Sequence, residues 1–166
     1  MDLIDTQWLH QLEVVVKVII AGILGGIVGL ERELANRPAG LRTHAILAAA
    51  AALLVGTADL LVDHFVGETV PSILRADPIR VVEAIVTGVA FLGAGTIFRS
   101  RDSNSVEGLT TAASLLLVAA IGIAVALRQL LVAVLVTFIT LGLLRAVAVI
   151  VRKATSERDH ADPAPN

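Results

Sequence analysis

The chain has no cysteine and little charge for its length. Without thiols there are no disulfides, no thiolate metal ligands and no cysteine nucleophile. Charged residues fill 17% of the 166 positions, and the formal net charge is −2. No concentrated basic face is available, which argues against nucleic acid as a partner. There is no GxxxxGK[ST] phosphate loop, so nucleotide hydrolysis lacks its machinery. No serine, histidine and acid are grouped closely enough to argue for a hydrolase. An enzyme is the poorest reading. Hydrophobic residues supply 56% of the chain, above the roughly 45–50% of soluble domains. They collect into runs of roughly twenty, the length that crosses a hydrocarbon core about 30 Å thick. That composition belongs to an integral membrane protein embedded in a lipid bilayer.

The runs predict an all-α membrane protein with five transmembrane helices. They span about Leu12 to Leu30, Leu41 to Val62, Ile79 to Phe98, Leu109 to Leu127 and Leu130 to Val151. Asp2 and Asp5 precede the first run, where a cleavable signal would carry positive charge, so this run is expected to stay as a helix. Residues 1–151 form the transmembrane domain. Residues 152–166 are a polar tail with two prolines, expected to be disordered. Arg32, Arg37, Arg42, Arg99, Arg101, Arg152, Lys153 and Arg158 share one side, against Arg75, Arg80 and Arg128 on the other. Cytoplasmic segments carry the excess of Lys and Arg. The N-terminus is therefore expected outside and the C-terminus inside.

Gly22, Gly25, Gly26 and Gly29 make two overlapping GxxxG pairs in the first span. Small residues at that spacing let helix backbones approach closely in lipid. They suit either packing against another span of the same chain or the seam of a homodimer, and a homodimer through these glycine-lined helices is the expected assembly. The alanine run 48–52 offers another small face to either. A weak internal echo links Gly40-Leu41-Arg42-Thr43 to Gly108-Leu109-Thr110-Thr111. It predicts two parallel helical hairpins plus a fifth helix.

Glu31 and Glu33 flank Arg32 at the end of the first span, where the negative end of the helix dipole disfavours acids by about 0.3–1 kcal/mol each. They need partners, and the N-termini of the second and fourth helices lie on the same side. The cluster is either an interfacial salt bridge or a carboxylate cation site, since Mg²⁺ takes carboxylate and water oxygens. Glu83 lies inside the third span and is a functional candidate on that ground. It either pairs with Arg80 on the same helical face or joins Asp59 in an outer cation mouth. Glu31, Glu83 and Asp59 are thus the candidate metal ligands for a hard cation. In Phe91-Leu92-Gly93-Ala94-Gly95-Thr96, Gly93 and Gly95 suit close helix packing or a broken helix lining a cavity, and Thr96 can bond the exposed backbone. His44 is most simply an interface residue.

Together these strings resemble the MgtC/SapB family of bacterial inner-membrane proteins. The matching residues are Gly26 to Glu33, Pro38 to His44, Phe91 to Gly95 and Gly108 to Ala113, in the family's order across four spans. Its motif positions fall here on Glu31, Arg32, Glu33, Gly40, Arg42, Thr43, Gly93, Gly95, Gly108, Thr110 and Thr111. The resemblance implies a multi-pass plasma-membrane protein tied to magnesium limitation and, in pathogens, to survival inside host cells. Some members act instead on other membrane proteins, including the ATP synthase. Two functions follow as expectations. One is a protein that binds or moves Mg²⁺, and the other is a non-transporting regulator of a membrane partner. The chain departs from the family's pattern at Ala90, where glycine is expected, and at Glu83, where a neutral polar residue is common. It also reads as a short form without the soluble C-terminal domain of longer members.

Overall fold

In lipid the backbone must satisfy its own hydrogen bonds, so long apolar runs without proline become helices. The computed structural model of the protein describes residues 2–66, 78–99 and 105–161, with side chains at 8–58, 60, 79–99 and 105–147. The helices are α1 (Asp2–Leu34), α2 (Leu41–Val66), α3 (Pro78–Gly95), α4 (Leu109–Ala126) and α5 (Leu130–Ala161). Between α3 and α4, β1 (Phe98–Arg99) and β2 (Val106–Glu107) pair antiparallel, Phe98 opposite Glu107 and Arg99 opposite Val106.

Two of the helix stops are Schellman turns built without glycine. At the end of α1, Asn36 takes a left-handed φ of 54°. Arg37 N–H then donates to Arg32 O and Asn36 N–H to Glu33 O, both at 3.0 Å. At the end of α4, Arg128 takes φ 62°, and Gln129 N–H reaches Ala124 O at 2.8 Å. These bonds satisfy carbonyls that a helix end leaves orphaned.

Among the described residues, four helical segments are long and apolar enough to cross a membrane: Trp8–Leu34, Leu41–Ala58, Leu109–Ala126 and Leu130–Val147. The third expected span, α3, is not one of them. It stops at Gly95, three residues before the expected Phe98, and Phe98 and Arg99 pair with β2 instead. At the other extreme, α5 runs on to Ala161, ten residues into the segment expected to be disordered. Arg152, Lys153, Ala154 and Glu157 are all good helix formers, which the polar composition concealed.

α4 sits at the centre and packs against each of the other four helices. Its sequence is apolar all round, as an enclosed helix must be. The core is made largely of small residues, including Ala21, Ala48, Ala51, Ala52, Ala119 and Ala133. Large apolar side chains point outward instead, with Phe91 81%, Phe138 65% and Ile139 67% exposed. Small inside and large outside is the packing of a bundle surrounded by lipid. In water so extensive an apolar exterior would drive association.

Candidate functional site

The α1–α2 seam brings the first two motifs together. A Cβ on Gly25 would lie 2.6 Å from Ala48 Cβ and 2.7 Å from His44 O, and one on Gly29 would lie 2.8 Å from Gly40 O and from Leu41 Cα. A Cβ on Gly22 or Gly26 would make only ordinary contacts, from 3.6 Å outward, with Ala45, Ala49 and Leu41. All four glycines thus face α2 of the same chain. Within the chain, the four glycines serve the packing of α1 on α2. The alanine run answers them, with Ala48, Ala51 and Ala52 buried.

This seam places the end of α1 beside the start of α2. Arg32 is 4% exposed and its Nε donates to Glu31 Oε2 at 2.6 Å. Glu33 Oε2 accepts the N–H of Leu41 at 2.8 Å, so it caps the N-terminus of α2 from eight residues away. Both acids have found the compensation that their place at a helix C-terminus demanded. Arg42, Thr43 and Thr110 are exposed at the same end.

The link to α4, the helix that carries the fourth motif, is His44, which is fully buried. Its Nδ1 is 2.9 Å from Gly40 O, and its Nε2 is 3.0 Å from Ser114 Oγ on α4. Ser114 Oγ is also 2.8 Å from Thr111 O. A carbonyl only accepts, so Nδ1 must carry a proton toward Gly40. Ser114 has one hydroxyl proton for two neighbours. With a neutral imidazole it donates to Nε2, and with an imidazolium it is free to donate to Thr111 O. His44 and Ser114 thus tie the α1–α2 hairpin to α4, and burial makes each of these bonds expensive to lose. A cycle of His44→Ala, Ser114→Ala and the double variant, read by unfolding in detergent, is expected to give a coupling of about 1–2 kcal/mol. Additive losses would show that the bond contributes nothing.

On α4, Gly108 caps the helix with φ 89° and its carbonyl accepts Ala112 N–H at 2.9 Å, as Gly40 accepts His44 N–H at 3.2 Å. Gly93 is buried, and a Cβ there would lie 3.3 Å from Ala112 Cβ. The repeat foreseen from sequence therefore has a counterpart at one point. Gly29 meets His44, and Gly93 meets Ala112, each partner four residues after Gly40 or Gly108. α3 stays helical through Gly95, so the string is a packing site and then a helix end. Gly95 faces open space, and Thr96 Oγ1 donates to Gly93 O at 2.8 Å. Thr111 is buried beneath this junction.

The outer candidates do not join this cluster. Glu83 is exposed on α3, and no ion pair links it to Arg80 among the described residues. The side chain of Asp59 lies outside the described residues. No group of three His, Asp or Glu residues is assembled among those that are described. The opposite end holds instead a network that sequence reading missed: Glu13 takes Lys17 Nζ at 2.9 Å and Arg128 Nη2 at 2.8 Å. The first pair is legible as an i,i+4 contact, but the second joins residues 115 apart in the chain. His44 and Ser114 were missed for the same reason, being 70 residues apart.

Comparison with known proteins finds several relatives of this chain. The chain is 40% identical over 119 residues to a protein of Escherichia coli K12 named "Putative magnesium transporter YhiD", covering 68% of this chain and 50% of that one. It is 35% identical over 120 residues to SapB of Bacillus subtilis, 71% of this chain and 49% of that one. It is 40% identical over 103 residues to MgtC of Brucella abortus, 62% of this chain and 38% of that one. The chain thus spans about half or less of the length of these relatives. No solved structure matches it. The model of the MgtC family matches residues 18–153, which take in the glycine seam, the His44–Ser114 link and part of every helix, and the chain belongs to that family.

Proposed function

We propose that this protein acts in magnesium homeostasis in the bacterial inner membrane, as a non-transporting regulator that docks a membrane partner through its motif end. On this reading α3 completes a set of five spans, with the N-terminus outside and the motif end in the cytoplasm, as the excess of Arg there requires. Family membership and the name of the E. coli relative support the link to magnesium. The observation that carries the mechanism is that both motif carboxylates already have partners: Glu31 is held by buried Arg32, and Glu33 by the α2 N-terminus. Mg²⁺ needs carboxylate and water oxygens in near-octahedral array, and a guanidinium 2.6 Å from Glu31 opposes a dication there. The residues at this end do not fit a resident Mg²⁺. They do leave Arg42, Thr43 and Thr110 exposed beside Glu33 for a partner to read.

The second reading, a protein that binds or moves Mg²⁺, is favoured by the name of the relative and by Glu83, which is exposed and has no ion pair among the described residues. Mg²⁺ flux into proteoliposomes holding the purified protein, beside a Glu31→Gln/Glu83→Gln variant, separates the two. The regulator reading expects no flux above empty liposomes. Flux that the variant loses would establish transport and return those carboxylates to the metal. The magnesium link itself is read by growth of a deletion strain in low Mg²⁺, which the gene is expected to restore.

A further inference from the structure

α3 meets α4 closely at Gly93 but stands away from α2 along most of its length. The gap is a cleft of about 520 Å³ between α2 and α3. Its walls are apolar, among them Leu47 and Leu54 from α2 and Val81, Gly88 and Leu92 from α3. Among the described residues, the one charged residue lining it is Arg80, at the N-terminal end of α3. Arg80 is exposed and has no hydrogen-bond or ion-pair partner among the described residues. Glu83 and Thr87 do not line the cleft. Thr87 bonds back to Glu83 O within α3.

The shape and the charge together select an occupant. From Arg80 to Leu92 is twelve residues, or about 18 Å of helix at 1.5 Å each. One leaflet of a hydrocarbon core about 30 Å thick is about 15 Å deep. An open apolar trough of leaflet depth, with the Arg80 guanidinium at its outer mouth, is complementary to an amphiphile with one anionic end. A guanidinium forms paired hydrogen bonds with a phosphate, and the apolar walls gain by covering a hydrocarbon chain. A partner helix would leave Arg80 unanswered unless it brought an acid to that one position.

We propose that the α2–α3 cleft binds one phospholipid of the outer leaflet, with an acyl chain lying along Val81, Gly88 and Leu92 and the phosphate held by Arg80. The inference rests on the reading of α3 as a span whose N-terminal end faces outward. Bound there, the lipid replaces the helix contact that α3 lacks on its α2 side. It makes the seating of α3 dependent on the membrane around it.

The test uses the full chain purified in mild detergent and titrated with phosphatidylethanolamine or phosphatidylglycerol, with retained lipid read by native mass spectrometry. Wild type is expected to hold one phospholipid per chain. Arg80→Gln should weaken that adduct at least tenfold, and Arg80→Lys should restore part of it. Gly88→Leu is the groove-filling variant. A Cβ at Gly88 meets nothing within 4 Å, so the side chain can enter the cleft without displacing backbone. It should abolish the adduct while helix content and thermal unfolding stay at wild-type level. Equal retention by wild type, Arg80→Gln and Gly88→Leu would overturn the proposal, as would a wild type that forms dimers in place of a lipid adduct. The reading of α3 is tested separately by Arg80→Cys in this cysteine-free chain, labelled in intact cells with a membrane-impermeant thiol reagent. Labelling supports the outward placement. Protection overturns the outer-leaflet assignment, and with it the proposal, whatever the lipid titration gives.

Discussion

Replacing Gly108 with alanine will unseat the junction of α3 and α4. A Cβ there would lie 1.9 Å from Thr96 O and 2.7 Å from Thr96 C, and both are backbone atoms that cannot rotate away. The residue also sits at φ 89°, which an L side chain adopts only with strain. Strain and overpacking of this kind together amount to about 2–5 kcal/mol. The loss should appear as a lower unfolding midpoint in detergent. Gly95→Ala is the matched control, since a Cβ at Gly95 meets nothing within 4 Å and the change should fall within about 0.5 kcal/mol of wild type. Equal losses at the two positions would mean that the turn between α3 and β1 is placed wrongly.

The second large effect separates glycines that look alike in the sequence. Gly25→Ala and Gly29→Ala should each destabilise by about 1–3 kcal/mol, because the added carbon would strike His44 O, Gly40 O and Leu41 Cα from under 3 Å. Gly22→Ala and Gly26→Ala should be neutral, or stabilising by up to about 1 kcal/mol, because alanine is the better helix former. Their nearest neighbours stand 3.6 Å or more away. Unfolding midpoints of the four variants, compared in one detergent, decide the matter. If Gly22 and Gly26 prove as costly as the other pair, the register of α1 against α2 is different from the one described. The pattern GxxxG thus marks a close approach, but only one of the two overlapping pairs sits at its tightest line.

Much of this was legible in the sequence, and what was not shares a physical cause. Hydrophobic runs and charged breaks located all five helices, because apolar length and helix-ending residues are local properties. The GxxxG pairs predicted a close approach, and the acids at the end of α1 predicted their need of cationic or helix-N-terminal partners. Which helix the glycines would face was open, and α2 answered it only once the fold was known. His44 read as an interface residue because nothing local shows that its Nε2 meets Ser114. Gly122 passed unnoticed as one small residue in an apolar run, yet a Cβ there would lie 2.2 Å from Ala48 O. The end of α3 was overrun because Thr96, Ile97 and Phe98 look like more helix until a partner strand is supplied. Pairing information of this kind lies between distant segments, and periodicity within one segment does not contain it.

The central position of α4 has a consequence for how such a chain is made. Synthesis delivers α1 and α2 first, with the glycine–alanine seam between them. α4 arrives later, into a bundle already half built, and its fit is set by surfaces presented before it emerged: Ala48 opposite Gly122, and His44 waiting for Ser114. α5 comes last and buries the smallest share of its span, 17% against 50% for α4. The order of synthesis thus runs from the glycine-seamed hairpin, through the helix with the most neighbours, to the one that buries least of its span. A lineage of such chains could lengthen, trim or extend the α5 end with little disturbance to the bundle, whereas any insertion within α4 would have to be accommodated by four neighbours at once.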